Sequence, residues 1–129
     1  CMYRFAVKAF LVLSVLIAAV GCRTAPLYNV TNQSIVTSGG KSKSLEEVKT
    51  AIVEAGKARG WMMKDIEPGR LEGELRVRSH VAVVDIKYST TSYSINYKDS
   101  KELHYDGTKI HPNYNGWIQN LQREIEKRL

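Results

Sequence analysis

Residues 70–98 read RLEGELRVRSHVAVVDIKYSTTSYSINYK, and their alternation of apolar and polar side chains decides the fold. Leu71 and Leu75 point one way, and the charged residues between them point the other. Because successive side chains of a β-strand lie on opposite faces, this pattern is typical of a sheet with one buried face and one wet face. Two further alternating segments follow at 81–88 and 92–98, so the spacing predicts an antiparallel meander. The inward positions predicted in these two segments are Ala82, Val84, Ile86, Tyr88, Tyr93, Ile95 and Tyr97.

Two amphipathic helices are predicted on either side of this meander. Ser44 and Glu47 have the spacing of a capping box, and apolar residues then recur at helical intervals until Gly60, which predicts a helix over 45–59. A second helix is predicted over 112–129, with a proline in its first turn. Each helix is apolar on one side only, so each needs a partner layer.

The predicted fold class is α+β. The economical arrangement is a two-layer sandwich, in which an antiparallel meander of four or five strands carries both helices on one face and leaves the other face open to water. Residues 61–66 alternate and lead into a turn at 67–70, which predicts a strand before the meander. An extended segment at 27–37 is the expected first strand, and 99–109 reads as a polar connection.

The beginning of the chain has the pattern of a secretory signal. Basic Arg4 and Lys8 precede an apolar stretch from Ala9 to Val20. A helix of this length reaches only about 18 Å, whereas the hydrocarbon core of a bilayer is roughly 30 Å thick. The stretch therefore suits a removable signal better than a permanent span.

Residues 19–22, Ala-Val-Gly-Cys, resemble the lipobox of bacterial lipoproteins, although that family usually has Leu where this chain has Ala19. The resemblance implies removal of residues 1–21 as a signal peptide and acylation of Cys22. In such lipoproteins an Asp directly after the cysteine favours retention in the inner membrane. Because Arg23 holds that position here, the resemblance implies an outer-membrane protein that faces the periplasm. The alternatives are an ordinary secretory signal or a short buried helix, in either of which Cys22 has no role.

The remaining chain is expected to hold an acylated cysteine and short linker at 22–26 and one globular domain at 27–129. No cysteine follows Cys22, so we expect neither a disulfide nor a thiolate metal site. The chain has 19 basic and 13 acidic residues, and loss of the leader reduces the basic excess to about four. This mild charge suits anionic headgroups, lipopolysaccharide or peptidoglycan, and it suits solubility equally. Nucleic acid is not an expected partner, because the predicted compartment holds little of it.

The sequence carries no motif for catalysis, a metal or a cofactor. The three histidines, His80, His104 and His111, lack the helical spacing that presents two imidazoles to one metal. Neither a G-x-S-x-G elbow nor a catalytic cysteine is present. Glu72 and Glu74 share a strand face, but they alternate with arginines, as in a solvated surface. We expect no catalytic residue and no cofactor.

The outer face of the sheet is the first candidate binding surface. Alternation directs Arg76, Arg78, Val81 and Val83 outward, and two valines among charges are suited to the floor of a shallow groove. Contact with the segment before Pro26, or with a partner, is an equal possibility.

The segment 103–117 is the second candidate, because it is dense in aromatic, amide and imidazole side chains. Such segments stack on and hydrogen-bond sugars or peptides. In the alternative interpretation the aromatic residues, Tyr114 and Trp117 among them, anchor the core and the asparagines cap the second helix. The candidate residues here are Tyr105, His111, Asn113 and Asn115.

The expected function is that of a lipid-anchored, noncatalytic envelope protein that binds a partner protein, peptidoglycan or lipopolysaccharide. A periplasmic, hydrolase-like enzyme whose site is assembled only in three dimensions is the alternative. A purely structural tether is a third possibility.

Overall fold

The computed structural model describes residues 23–129. The predicted signal peptide and the predicted acylation site at Cys22 lie outside these residues. Within the described part, no helix is both long enough and apolar enough to cross a bilayer.

The strands and helices have the following bounds. The strands are β1 (Ala25–Pro26), β2 (Val30–Ser34), β3 (Met62–Glu67), β4 (Arg70–Val77), β5 (His80–Tyr88), β6 (Ser92–Lys101) and β7 (Lys109–Ile110). The α-helices are α1 (Leu45–Ala58) and α2 (Pro112–Arg128), and a short 3-10 turn covers Ser38–Gly40.

Five strands form one antiparallel sheet in the order β2-β6-β5-β4-β3, so β3 to β6 are a meander and β2 is added beside β6. The two helices pack against each other, and α1 also contacts β3 and β5. The predicted α+β fold, with an antiparallel meander and two helices, is confirmed. A separate two-stranded ribbon joins β1 to β7.

The strand register places the predicted inward side chains in the core, except that of Tyr97, which is only partly buried. Leu71, Ile86 and Ile95 lie side by side on three neighbouring strands, and none is more than 1% exposed. Leu75, four residues farther along β4, lies opposite Ala82, and both are buried. This alternation was the basis of the fold prediction, and the structure confirms it.

Helix α1 begins and ends with the local interactions that its sequence predicts. The backbone N–H of Glu47 donates to the Ser44 hydroxyl at 3.1 Å, and the backbone N–H of Ser44 donates to the Glu47 carboxylate at 2.8 Å. These bonds satisfy two N–H groups at the start of the helix, and the bond that the Ser44 backbone donates to the carboxylate lowers the pKa of Glu47. At the other end, Gly60 adopts a φ of 86° and turns the chain into β3. The helix ends at Ala58, one residue before the predicted end.

The polar segments differ most from the predictions. Ala25 and Pro26, expected in a linker, form β1 opposite Ile110 and Lys109. Strand β6 continues to Lys101, and β7 lies in the remainder of the expected polar connection. The prediction of a simple loop was wrong because it considered hydrophobic periodicity alone, whereas backbone N–H and C=O groups of short segments pair wherever a second segment runs alongside.

Candidate functional site

The charged side chains on the outer face of the sheet are mostly paired with one another. Arg70 contacts Asp85 at 2.8 Å and Lys98 contacts Glu72 at 2.7 Å. Partly exposed pairs such as these contribute only about 0–1 kcal/mol each, but they neutralise the face locally.

The two strand carboxylates that share this face are each held by a separate cation. Glu74 contacts Arg76 at 2.6 Å, and Glu72 is the carboxylate held by Lys98. Val81 and Val83 are half-buried on the same face, where they lie opposite Arg76 and Glu74 on β4.

Arg78 does not share the face with the other candidates of the first surface. It lies between β4 and β5 with a φ of 58°, in the turn, so the alternation of β4 no longer determines its direction. The first candidate surface therefore brings together Arg76, Val81 and Val83 and leaves Arg78 at its margin. Met62, which is 72% exposed and pairs with Glu74, adds an apolar side chain that the sequence reasoning missed.

The start of α2 is capped by a histidine rather than by an asparagine. The Nδ1 atom of His111 accepts a hydrogen bond from the backbone N–H of Asn113 at 3.1 Å, and Pro112 follows as the first helical residue. The predicted capping by Asn113 and Asn115 was wrong. His111 precedes the proline with a φ of −53° and a ψ of 132°, outside the helical region, as an N-cap requires.

The side-chain amide of Asn115 is hydrogen-bonded to the backbone of the N-terminal segment. Its Oδ1 accepts from the backbone N–H of Tyr28 at 2.9 Å, and its Nδ2 donates to the carbonyl of Pro26 at 2.8 Å. Because both ends of the amide are bonded within the fold, Asn115 positions other residues rather than meeting a ligand.

Three tyrosines form an aromatic cluster where β6, the 102–108 segment and α2 meet. The rings of Tyr97 and Tyr105 are 4.0 Å apart between centroids and tilted by 33°, and the ring of Tyr114 meets that of Tyr97 edge-on at 5.8 Å. Tyr114 is fully buried, as the core-anchor interpretation predicts, and Trp117 is partly buried against the core. Tyr105 is instead 37% exposed, so one side of the stack is open to a ligand.

A surface depression of about 410 Å³ lies beside this stack, and we call it the tyrosine depression. The Tyr97 hydroxyl is 2.7 Å from that of Ser100, and burial raises the pKa of Tyr97. The residues that line the depression are Tyr97, Ser100, Glu102, Leu103, His104 and Tyr105. Tyr105 was predicted as a binding residue, whereas Tyr97 was predicted to lie in the core because the alternation along β6 directs it inward and does not show that this end of the strand is open.

A second depression, of about 430 Å³, runs along α1 beside the end of α2. It is lined by flexible charged side chains such as Lys43, Glu54 and Arg128, with no aromatic ring among its lining residues. Flexible side chains must be ordered before they hold a ligand, so this groove is less suited to recognition than the tyrosine depression.

All three histidines converge at one end of the molecule. The imidazole rings of His80 and His111 are 5.5 Å apart, and the ring of His80 is 6.2 Å from that of Trp117. The Nδ1 of His80 lies 2.8 Å from the carbonyl oxygen of Glu102. Burial lowers the pKa of His111, and the neighbouring charges of His80, His104 and Arg23 lower it further. Within residues 23–129, no three His, Cys, Asp or Glu side chains are arranged to hold a metal ion.

No protein-family model matches the sequence, and no curated protein or solved structure matches it significantly. The choice among these surfaces therefore depends on their own geometry and chemistry.

Proposed function

We propose that this chain is a lipid-anchored, noncatalytic protein of the bacterial envelope that binds a glycan through the tyrosine depression. Peptidoglycan and lipopolysaccharide both present sugar rings, and that shared chemistry defines the ligand. The observation that supports the proposal is the half-open stack of Tyr97 and Tyr105, with polar groups around it.

The chemistry of the depression suits a sugar ring. A tyrosine presents a flat apolar ring together with a hydroxyl group, and a sugar likewise has an apolar face edged by hydroxyls. Glu102 and His104 are among the residues that line the same depression, and a carboxylate and an imidazole can supply an acceptor and a donor. The volume of about 410 Å³ lies within the range of small-ligand sites, which is roughly 300–1,000 Å³.

Binding without hydrolysis accounts for this set of side chains better than catalysis does. Cleavage of a glycosidic bond ordinarily uses two carboxyl groups on opposite sides of the bond. Glu102 is the one carboxylate among the residues that line the depression. The paired carboxylates that the sequence places on one strand face, Glu72 and Glu74, belong to the opposite face of the sheet and are held by Lys98 and Arg76.

The anchor is the acylated Cys22 implied by the lipobox resemblance. Each buried CH₂ group contributes about 0.8 kcal/mol, so several acyl chains hold a protein stably on a bilayer where one does not. We expect Cys22→Ala to leave an uncut precursor that takes up no labelled palmitate in a bacterial host. A Cys22→Ala protein that is still labelled would contradict this part of the proposal.

Glycan binding is tested by co-sedimentation of the protein with purified peptidoglycan sacculi and, separately, with lipopolysaccharide micelles. We expect retention by one of the two, and a loss of affinity of about tenfold in Tyr105→Ala, since stacking and burial of an aromatic ring are removed. Tyr105→Phe keeps the ring and should bind nearly as well as the unmodified protein.

Met62→Ala is the matched control, because it removes an exposed apolar side chain from the other face of the sheet. Equal binding by the Tyr105→Ala protein and the unmodified protein would exclude the tyrosine depression as the site. Failure of both glycans to retain the protein would exclude the proposed ligand class.

A further inference from the structure

Backbone pairing and hydrogen bonds fix residues 25–28 to the domain. Ala25 pairs with Ile110 and Pro26 with Lys109, and the backbone N–H of Leu27 donates to the carbonyl of Thr108 at 3.0 Å. The side-chain amide of Asn115 makes two further hydrogen bonds to this segment, one to Tyr28 and one to Pro26.

This attachment limits the distance between Cys22 and the folded domain. Three residue steps separate Cys22 from Ala25, and an extended chain spans at most about 3.6 Å per residue, or roughly 11 Å in all. The headgroup region on each side of a bilayer is about 5–8 Å thick. An acyl chain on Cys22 thus brings the β1–β7 end of the domain to the headgroups.

The side chains at this end are of two kinds, basic and interfacial. The ring of Trp117 adjoins that of His80, and tryptophan favours the boundary between apolar and polar regions of a membrane. Arg23 lies two residues before β1 and is close enough to contribute to the lowered pKa of His111. We define the basal cluster as Arg23, His80, Lys109, His111 and Trp117.

We propose that the basal cluster rests on anionic lipid headgroups, so that its cationic side chains meet lipid phosphates and the domain is held in one orientation on the bilayer. The inference depends on the proposed acylation of Cys22 but not on glycan binding.

Two acidic residues lie among these groups and oppose the attraction. The Asp106 carboxylate accepts hydrogen bonds from the backbone N–H groups of Thr108 and Lys109, which satisfy its negative charge in part. The backbone carbonyl oxygen of Glu102 lies 2.8 Å from His80 Nδ1, and Glu102 also lines the tyrosine depression.

Further basic residues lie in neighbouring parts of the chain. Arg78 is in the turn before β5, and Lys101 ends β6 opposite Val81. The attraction therefore comes from the arginine and lysine side chains.

The test uses the full-length acylated protein in vesicles that carry a fluorescence quencher on the lipid headgroups. Trp117 is the reporter, and the same measurement on Trp117→Phe gives the signal of Trp61, which is buried at 4% exposure. We expect stronger quenching of Trp117 in phosphatidylglycerol vesicles than in phosphatidylcholine vesicles, and less quenching at high salt.

Lys109→Gln and Lys64→Gln are the matched variants, because both remove one exposed lysine and only the first lies in the basal cluster. Lys109→Gln should lower the ratio of docked to undocked protein about fivefold, whereas Lys64→Gln should leave it unchanged.

Equal quenching in both lipids, or equal effects of the two variants, would overturn the inference even though the protein remains attached to the vesicles. A protein that carries no acyl chain and does not enter the vesicles would overturn both this inference and the proposed anchor. The two failures are thus distinguishable.

Discussion

The side-chain amide of Asn115 holds the backbone of Tyr28 across 87 residues of sequence, with its Oδ1 2.9 Å from the Tyr28 nitrogen. The same amide donates to the carbonyl of Pro26. One side chain on α2 thus fixes the entry of the chain into the fold.

Removal of this amide should loosen the N-terminal segment. We expect Asn115→Ala to lower the free energy of unfolding by about 1–3 kcal/mol, because two hydrogen bonds to the backbone are lost. Urea denaturation followed by circular dichroism measures this, and hydrogen exchange at the Tyr28 amide should quicken. Asn115→Asp keeps the acceptor for Tyr28 and loses only the donor to Pro26, so a loss as large as that of the alanine variant would contradict this account.

The His111 cap predicts that acid destabilises the domain. Its pKa lies below the usual 6.5 in the folded protein, so the unfolded chain binds the proton more readily. The contribution of His111 to stability is complete above that usual value and is lost as the pH falls through the lower folded value. We expect the urea midpoint of unfolding to decrease as the pH is lowered from about 7.5 to about 5.

Two variants separate the capping role of His111 from the effect of its protonation. His111→Asn keeps a side-chain acceptor and has no titration, so it should flatten the pH dependence. His111→Ala should lower the free energy of unfolding at neutral pH by about 0.5–2 kcal/mol. A His111→Asn protein with unchanged pH dependence would assign the effect to other groups.

The buried hydroxyl of Tyr114 should be dispensable for folding. It has no hydrogen-bond partner among residues 23–129, and burial raises the pKa of Tyr114. Tyr114→Phe removes an unpaired polar group, so thermal or urea unfolding should give an unchanged stability or a gain of up to about 1 kcal/mol. Tyr97→Phe removes a hydroxyl bonded to Ser100 and should lower stability by about 1 kcal/mol. A larger loss of stability in Tyr114→Phe than in Tyr97→Phe would indicate that the Tyr114 hydroxyl has a hydrogen-bond partner.

The two faces of β4 should respond differently to a change of charge. Leu75 is 6% exposed and faces the core, so Leu75→Asp should unfold the domain because it buries a carboxylate among apolar side chains. Glu74 is on the wet face beside Arg76, so Glu74→Lys should change the free energy of unfolding by no more than about 0.5 kcal/mol. Circular dichroism separates the two outcomes, and equal damage would mean that the strand register is shifted by one residue.

Interactions between residues close in sequence were predictable. The alternation at Leu71 and Leu75 identified the buried face of the sheet, and Ser44 with Glu47 identified the start of α1. In both cases the residues that interact, or that share a face, lie within a few positions of each other, so the backbone period alone determines their relation.

The candidate sites were only partly predictable. Tyr105 was expected in a binding surface and lies at the open side of the tyrosine depression, but its partner Tyr97 was assigned to the core. Asn115 was expected to face a ligand or cap α2 and instead holds Tyr28 and Pro26, because a side-chain amide bonds with whatever backbone the fold brings alongside.

The sequence by itself determined the two helices, the meander and the buried face of the sheet, since these follow from periods of two and 3.6 residues. Only the tertiary structure decided that His80 and His111 meet, that Tyr97 and Tyr105 stack, and that β1 pairs with β7. These contacts join segments that are distant in sequence or irregular in backbone, and no local period encodes the path that brings them together.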